Sequence, residues 1–311
     1  MIHYYNIENN RLTKQSGDCQ PCIIITDDFQ QEEIESVAVK LNIPYASMMK
    51  SLSNTERSRV DLKPDYVFVV VNYPEESERK SFNTAPLCLF ITRQVMFIVC
   101  RQRSILSSCY VTASGLSLNP GNVLLSLILS VSERFKIKTK GIISDFEKTE
   151  ERVLESTKND DVIKIMDMRR SLIFFSMALH ANDLVIARLI SIIRSGKNAL
   201  LSEDIIDDEL VDDVYTESKQ AIEIVSTYSK VIMDMMNTVT SMVSNNQNKF
   251  LKLLSVLTLQ LTIPMLFSSL WGMNVKVPFE GQSSGFIMVV SLSFILTLII
   301  SVILRSKKMF S

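Results

Sequence analysis

Several residue types are scarce in this chain of 311 residues, and each scarcity excludes a class of protein. It contains only 8 Gly and 8 Pro, which excludes collagen-like chains and disordered chains rich in these residues. The 33 Lys and Arg residues are offset by 34 Asp and Glu, and this balance argues against a strongly basic nucleic-acid-binding protein. The first residues, MIHYYNIENNRLTK, lack the apolar segment of a signal peptide, so we predict a cytosolic N-terminal region.

Cysteine and histidine are also few, which limits the possible metal and redox sites. Cys88 and Cys100 lie in apolar runs, and an odd total of 5 Cys favours reduced, buried thiols over a disulfide framework. Cys19 and Cys22 form one CxxC motif, which is either a redox pair or half of a zinc site. With no second CxxC and only 2 His, the buried-thiol interpretation is favoured. A Gly-rich phosphate loop, HExxH and GxSxG are all missing, so the sequence predicts neither an enzyme nor an organic cofactor.

Apolar residues are concentrated near the C-terminal end. Mean hydropathy is +0.18 although 22% of residues are charged. Uncharged stretches run from 253 to 275 and from 281 to 304. As helices, each would span about 35 Å, enough for a hydrocarbon core of roughly 30 Å. We predict two transmembrane helices; the alternative is a pair of buried helices in a soluble protein.

Basic residues predict how these helices cross the cytoplasmic membrane. The flanks of the pair carry Lys249, Lys252, Arg305, Lys307 and Lys308, whereas the intervening loop has only Lys276. By the positive-inside rule, both termini face the cytoplasm.

The remaining sequence predicts a cytosolic domain with strands followed by helices. Between residues 20 and 115, the runs CIIIT, YVFVVVNY, LCLFIT and QVMFIVC are typical of strands in a mixed or antiparallel sheet, and QQEEIESVAVKLNI of a helix packed on it. From Pro120 onward the spacing is helical in NVLLSLILSVSERF, DFEKTEERVLEST and DDVIKIMDMRRSLIFFSMALHANDLVIARLISIIRS. Gly196 is the predicted stop.

A final helix is predicted to begin near Ser202, a plausible N-cap, and to continue into the membrane. Neither Gly nor Pro interrupts it before Pro264, so it would exceed about 60 residues, or about 90 Å. A helix this long needs partners along its length, which predicts an oligomer with a shared helical stalk.

One face of this helix is mostly small and polar. Steps of three and four residues connect Asn237, Ser241, Ser244, Asn248, Leu251, Ser255, Thr258, Thr262, Met265 and Ser269. We call these ten residues the polar stripe. Such residues mediate tight helix packing in membranes; alternatively, a continuous stripe lines a wet path. Two spans cannot enclose a pore, so that path would lie on an oligomer axis.

Carboxylates are crowded where the long helix begins, in EDIIDDELVDD at 203–213. The helix dipole stabilises acidic residues only in the first turn, which in the predicted helix contains Glu203 and Asp204. Crowded carboxylates repel one another, and divalent cations such as Mg²⁺ relieve that repulsion. The alternative is a solvated acidic face.

The first span ends in Trp271-Gly272-Met273-Asn274, and here the chain resembles the CorA family of divalent cation channels. That family carries Gly-Met-Asn at the outer end of the first of two C-terminal transmembrane helices. Asp213-Val214-Tyr215 is similar to the family's Asp-Val-Tyr stretch, and NNQNKFLKLL to its Asn-x-x-x-Lys membrane entry. The resemblance is specific in the C-terminal third of the chain.

This resemblance implies a homopentameric funnel whose axial pore is made by the first span. Gly272, Met273 and Asn274 would form the selectivity filter, with the Asn274 oxygen facing a hydrated ion. Cytosolic Mg²⁺ bound between subunits at Asp213 would hold the pore closed, with Asp212, Asp208 and Glu209 as weaker candidates; a partner carboxylate is not assigned. The resemblance therefore implies that Mg²⁺ is both the transported and the regulatory ion.

Three departures from the family pattern leave the transported ion open. Trp271 replaces the usual Tyr, Lys276 lies in a loop that is acidic in many members, and Asn237 stands where some relatives have an acid. A Zn²⁺, Co²⁺ or Ni²⁺ transporter of the same architecture is one alternative. A metal-sensing membrane scaffold without transport is another.

The expected organisation follows from these boundaries. We predict a cytosolic α/β and helical domain at 1–200, a stalk at 201–250, transmembrane helices at 251–271 and 285–304, an outer loop at 272–284 and a basic tail at 305–311. The expected partners are the lipid bilayer and further copies of the chain, with neither nucleic acid nor another protein implied.

Overall fold

A computed structural model describes most of the chain. The described residues are 2–8, 11–15, 23–26, 31–51, 53, 56–76, 81–93, 95–100, 120–155, 159–196, 198, 200–201, 206–273 and 282–306. They divide into two compact units, Met1–Met235 and Met236–Ser311. Cys19, Cys22, Ser202, Glu203, Asp204 and Asn274 lie outside the described residues.

The first unit contains a mixed sheet, as the strand-like runs predicted. In the described part of the chain its strands are β1 (Ile2–Glu8), β2 (Arg11–Gln15), β3 (Ile23–Thr26), β4 (Arg59–Leu62), β5 (Val67–Glu76), β6 (Phe82–Ile91) and β7 (Met96–Val99). Their order is β2-β1-β3-β7-β6-β5-β4. The β3–β7 pair is parallel and the other pairs are antiparallel. The four predicted strands are β3, β5, β6 and β7, whereas β1, β2 and β4 were not predicted.

Helices account for the rest of the described structure. They are α1 (Gln31–Leu41), α2 (Tyr45–Ser51), α3 (Pro120–Glu155), α4 (Asn159–Ser195), α5 (Asp208–Trp271) and α6 (Ser283–Ser306). The prediction of α1 is confirmed, and α2 was not predicted. The segments NVLLSLILSVSERF and DFEKTEERVLEST, read apart in the sequence, belong mainly to the single helix α3.

The central strands contain continuous apolar runs because helices cover both faces of the sheet. On one face, Phe68, Phe90 and Phe97 occupy neighbouring positions across three strands and pack with buried residues of α1 and α2. The Phe68 and Phe90 ring centroids are 4.3 Å apart. On the opposite face, α3 and α4 contact β5, and α4 also contacts β6. Cys88 and Cys100 are buried, as predicted for these two thiols.

Two features position α4 on the sheet. Gly196 follows the last residue of α4 with φ of 60°, a left-handed conformation that terminates a helix at low cost in glycine. The predicted stop at Gly196 is therefore confirmed. Farther back, buried Asn182 accepts a hydrogen bond from the Asn72 backbone N–H at 2.8 Å and donates one to the Asn72 carbonyl at 2.7 Å. The side chain thus pairs with β5 as a short strand would.

The long helix α5 begins later than the sequence predicted. Its first residue is Asp208, and the side chain of Asp207 accepts a hydrogen bond from the Glu209 backbone N–H at 3.0 Å. Asp207 is therefore the N-cap, and the expectation of a start near Ser202 was wrong by about six residues. The uninterrupted course of α5 over 64 residues is confirmed, with Pro264 inside it.

Ion pairs attach the first part of α5 to α3 and α4 within the first unit. Lys136 of α3 pairs with Glu217. The ammonium of Lys219 lies 2.8 Å from Asp183 of α4, and its hydrogen bond to that carboxylate raises the pKa of Lys219. Arg194 lies 3.6 Å from Asp212. These three ion pairs connect α5 to α3 and α4.

Candidate ion pathway in the membrane helices

Two C-terminal helices have the length and composition of membrane spans. In the described residues, a membrane-length apolar window also occurs in α4. That window of α4 is 39% buried, because α4 packs on the sheet, whereas the windows in α5 and in Ser284–Ile303 are 11% and 6% buried. The apolar surfaces of α5 and α6 thus lack cover from their own chain.

In the second unit, α5 and α6 meet along one face of each helix. Val256 and Ile263 are the buried apolar residues of this part of α5, and both lie on that face. The Gln260 side-chain nitrogen lies 3.4 Å from the Ser301 hydroxyl oxygen of α6 and donates a hydrogen bond to it. Ser293 of α6 is also buried, and small residues of this kind allow close helix approach in membranes.

The polar stripe lies on the other side of α5. All ten of its residues are exposed in the single chain. At about 100° per residue, the stripe is centred roughly 130° from the face that contains Val256, Gln260 and Ile263. Packing between α5 and α6 therefore does not explain its composition.

Hydroxyl groups in the membrane part of the stripe donate their hydrogen bonds back into α5. Ser255 donates to the Leu251 carbonyl at 2.8 Å, and Thr262 to the Thr258 carbonyl at 2.7 Å. Thr258 bonds the Leu254 carbonyl at 2.8 Å in the same way. Because each proton is directed at the backbone, the oxygen lone pairs remain available as acceptors. The stripe therefore offers acceptors, which suits the water hydrogens of a hydrated cation.

The end of α5 carries the first part of the predicted filter. Gly272 donates its backbone N–H to the Ser268 carbonyl at 2.9 Å, and Met273 is 53% exposed. A Cβ at Gly272 would lie 3.3 Å from the same carbonyl oxygen, so glycine allows a close turn there. Asn274 lies outside the described residues, so its role remains a prediction.

The acidic residues at the start of α5 do not form a metal site within one described chain. Among the described residues, no group of three or more His, Cys, Asp or Glu side chains is arranged to hold a metal ion. Asp207 caps α5 and Asp212 pairs with Arg194. Asp208, Glu209 and Asp213 are exposed. The cap was not predicted because Ser202 and Asp207 are both good capping residues. The ion pairs were not predicted because their partners are far apart in the chain.

A sheet-and-helix unit followed by two helices with uncovered apolar surfaces, of which the first is the long helix α5, is the architecture of a class of membrane transport protein. Residues 20–307 match the family of the CorA-like Mg²⁺ transporter protein. The chain therefore belongs to the CorA family and is a divalent cation transporter of that type.

Individual relatives are distant in sequence but similar in length and fold. The cobalt/magnesium transport protein CorA of Methanocaldococcus jannaschii is 22% identical over 290 residues, covering 89% of this chain and 88% of the relative. The complete structure of the CorA magnesium transporter from M. jannaschii has a TM-score of 0.78 at 20% identity, covering 98% of this chain and 97% of that one. The ZntB cytoplasmic domain from Vibrio parahaemolyticus has a TM-score of 0.60 at 9% identity. This match covers 78% of this chain and 98% of that domain. The predicted family and fold class are confirmed.

Proposed function

We propose that this protein is a homopentameric Mg²⁺ channel that mediates uptake across the cytoplasmic membrane. The observation that carries the proposal is the exposed polar stripe on the side of α5 away from α6. Five copies of α5 around an axis would bring five stripes together and enclose a pore. The α6 helices would then lie outside, toward lipid, which agrees with their apolar surface.

The chemistry of the stripe supports passage of an ion with its water shell. Mg²⁺ loses water reluctantly. Outward acceptor oxygens at Ser255, Thr258 and Thr262 can bind water hydrogens of the hydrated ion without replacing its water ligands. At the outer end, Asn274 would provide the narrow ring that selects the hydrated ion, with Gly272 and Met273 shaping the turn.

Membrane potential is sufficient to drive uptake. Two charges crossing about 100 mV gain roughly 4.6 kcal/mol, at about 2.3 kcal/mol per charge. This energy supports a gradient of more than about a thousandfold. The basic flanks of the two spans favour cytoplasmic termini, so the large first unit would face the ion that accumulates.

The membrane potential would continue to drive Mg²⁺ into a cell that already contains enough of it, so the channel must be able to close. We propose Asp213 as a regulatory Mg²⁺ ligand between subunits. Its carboxylate is exposed near the start of α5, where a neighbouring subunit can reach it. Asp212 is a weaker candidate because Arg194 already pairs with it. Asp208 and Glu209 are weaker candidates as well, because they lie in the first turn of α5, where the helix dipole already stabilises their negative charges. Binding would favour the closed arrangement through its higher affinity for that state.

Flux of several ions measured side by side tests the proposal. The purified protein is reconstituted in liposomes, and Mg²⁺, Co²⁺, Ni²⁺ and Zn²⁺ uptake is followed at a fixed potential. We expect Mg²⁺ uptake that depends on the potential. Zn²⁺ is the second candidate, and Zn²⁺ flux without Mg²⁺ flux would replace the proposal. Absence of flux for every ion, with the oligomer intact, would instead support a metal-sensing scaffold.

A further inference from the structure

A cavity lies in the first unit, and none of its described lining residues belongs to the polar stripe or to the acidic start of α5. Its volume is about 680 Å³, and its walls come from α3, α4, the end of β5 and the start of β6. Pockets that bind small molecules commonly measure about 300 to 1,000 Å³. The β6 wall is held in place because the Phe82 backbone N–H donates a hydrogen bond to the buried Ser171 hydroxyl at 2.9 Å.

Gly141 leaves space in this cavity without a structural requirement for glycine. It lies inside α3, where glycine is less favourable than alanine. It is not among the described glycines with positive φ, and a Cβ there would meet nothing within 4 Å. What the missing side chain provides is room beside Lys138 and Ile142 on the cavity wall.

At one end of the cavity, two cations share one carboxylate. Arg152 and Lys164 both line the cavity, and both pair with the single carboxylate of Asp161, at 3.2 and 3.4 Å. Burial alone would raise the pKa of Asp161, but the hydrogen bonds from these two cations outweigh it and lower the pKa. Two positive charges thus share one negative charge, and the guanidinium retains N–H donors for a further acceptor.

The rest of the wall combines apolar side chains with charged ones, which are Glu76, Lys138, Asp145, Lys148 and Asp167. Lys148 lies 3.9 Å from Asp145. Phe82, Ile137, Ile142 and Met168 all line the cavity. Lys138 at this wall is engaged, because its ammonium lies 3.4 Å from Glu76 and 5.1 Å from the centroid of the Phe82 ring. The apolar wall would bury the body of a ligand whose charged group lies at the Arg152 end.

We propose that this cavity binds a small organic anion, with its carboxylate or phosphate at Arg152 and Lys164 and its apolar body beside Gly141. The site is separate from ion conduction and does not depend on the identity of the transported ion. A bound ligand would connect α3, α4 and the β5–β6 end of the sheet. Arg152 and Lys164 bond the anion directly, and Gly141 determines the size of the body that fits.

Binding of matched probes to the full chain in detergent, without divalent cations, tests this site. The probes are 1-naphthyl phosphate, 2-naphthoate, neutral 2-naphthol and inorganic phosphate, measured by calorimetry. We expect at least one naphthyl anion to bind at least about tenfold more tightly than 2-naphthol and inorganic phosphate, since charge-assisted hydrogen bonds contribute at that level. The two naphthyl anions distinguish phosphate from carboxylate recognition.

Substitutions test whether the probes bind in this cavity. Gly141→Met should abolish it by filling the cavity while α3 remains folded, because methionine favours helices. Ser144→Met is the matched control, since residue 144 is exposed on α3 and does not line the cavity. Arg152→Gln should weaken binding of the naphthyl anions about tenfold and leave binding of 2-naphthol unchanged. Absence of binding by both naphthyl anions, equal binding by 2-naphthol, or full binding in Gly141→Met would overturn the proposal.

Discussion

Replacing Asn182 with alanine should destabilise the first unit by an amount that follows from its hydrogen bonds. Asn182 is 3% exposed, and its amide bonds the Asn72 backbone N–H and carbonyl at 2.8 and 2.7 Å. It also accepts a hydrogen bond from the Ser58 hydroxyl at 2.8 Å. Each buried group left without a partner costs about 1 to 3 kcal/mol. Asn72 is only half-buried, so water compensates in part, and we expect a total loss of about 2 to 4 kcal/mol.

This loss corresponds to a drop in Tm of about 5 to 15 °C for a unit of this size. Cys88 and Cys100 are buried in the same unit, and burial raises the pKa of Cys88 to about 12. A thiol-reactive dye therefore reports unfolding of this unit, provided that Cys19, Cys22 and Cys109 are changed to serine.

An exposed asparagine on β6, Asn83, gives the matched control. Asn83→Ala should change the free energy of unfolding by less than about 0.5 kcal/mol, as surface substitutions usually do. If Asn182→Ala lowers Tm no more than Asn83→Ala does, the amide does not act as a substitute strand for β5, and our reasoning is refuted.

Three further predictions concern transport and acid stability. Asn274→Ala should abolish Mg²⁺ flux with the oligomer retained, and unchanged flux would remove Asn274 from the filter. Thr262→Val should lower flux at least about tenfold by removing outward oxygens, whereas Thr297→Val, which removes a similar back-bonded hydroxyl from α6, should not; equal effects would count against the polar stripe. The lowered pKa of Asp161 contributes stability above its unfolded value near 3.9, and that contribution disappears as the pH falls through the folded pKa. Asp161→Asn should therefore flatten the loss of Tm below about pH 4, measured by circular dichroism; an unchanged slope would contradict it.

A fifth prediction tests regulation in the proposed channel. Asp213→Ala should weaken closure by millimolar Mg²⁺ on the cytosolic side, because it removes a ligand that favours the closed state. Single-channel recording in planar bilayers would measure the open probability against Mg²⁺ concentration. An unaltered response would reject Asp213 as a regulatory ligand.

Sequence patterns predicted the features that depend on local composition. The strands β5, β6 and β7 were recognisable because both of their faces are buried, which leaves continuous apolar runs. Strands β1, β2 and β4 lack such runs, since polar residues alternate or dominate in them. The start of α5 was misjudged because Ser202 and Asp207 are both good capping residues, and propensity does not choose between them.

The candidate pathway was also accessible from the sequence, because its residues follow the spacing of a single helix. The cavity beside Gly141 was not, since its walls come from α3, α4, β5 and β6. The interactions of Asn182 with Asn72 join residues 110 positions apart. Composition cannot indicate such pairs, because it contains no information on the distances between elements of the fold.

By itself, the sequence determined that this chain has two membrane-length apolar helices, an uninterrupted helix leading into the first of them and a polar stripe along it. These properties follow from helical periodicity, from the scarcity of Gly and Pro and from where the charges stop. The tertiary structure alone decided where that long helix begins, which carboxylates pair with cations, and that the stripe faces away from α6. The start of the helix depends on which of two good capping residues is used, and propensity does not decide this. The ion pairs and the orientation of the stripe depend on contacts between elements distant in sequence, which only the packed chain brings together.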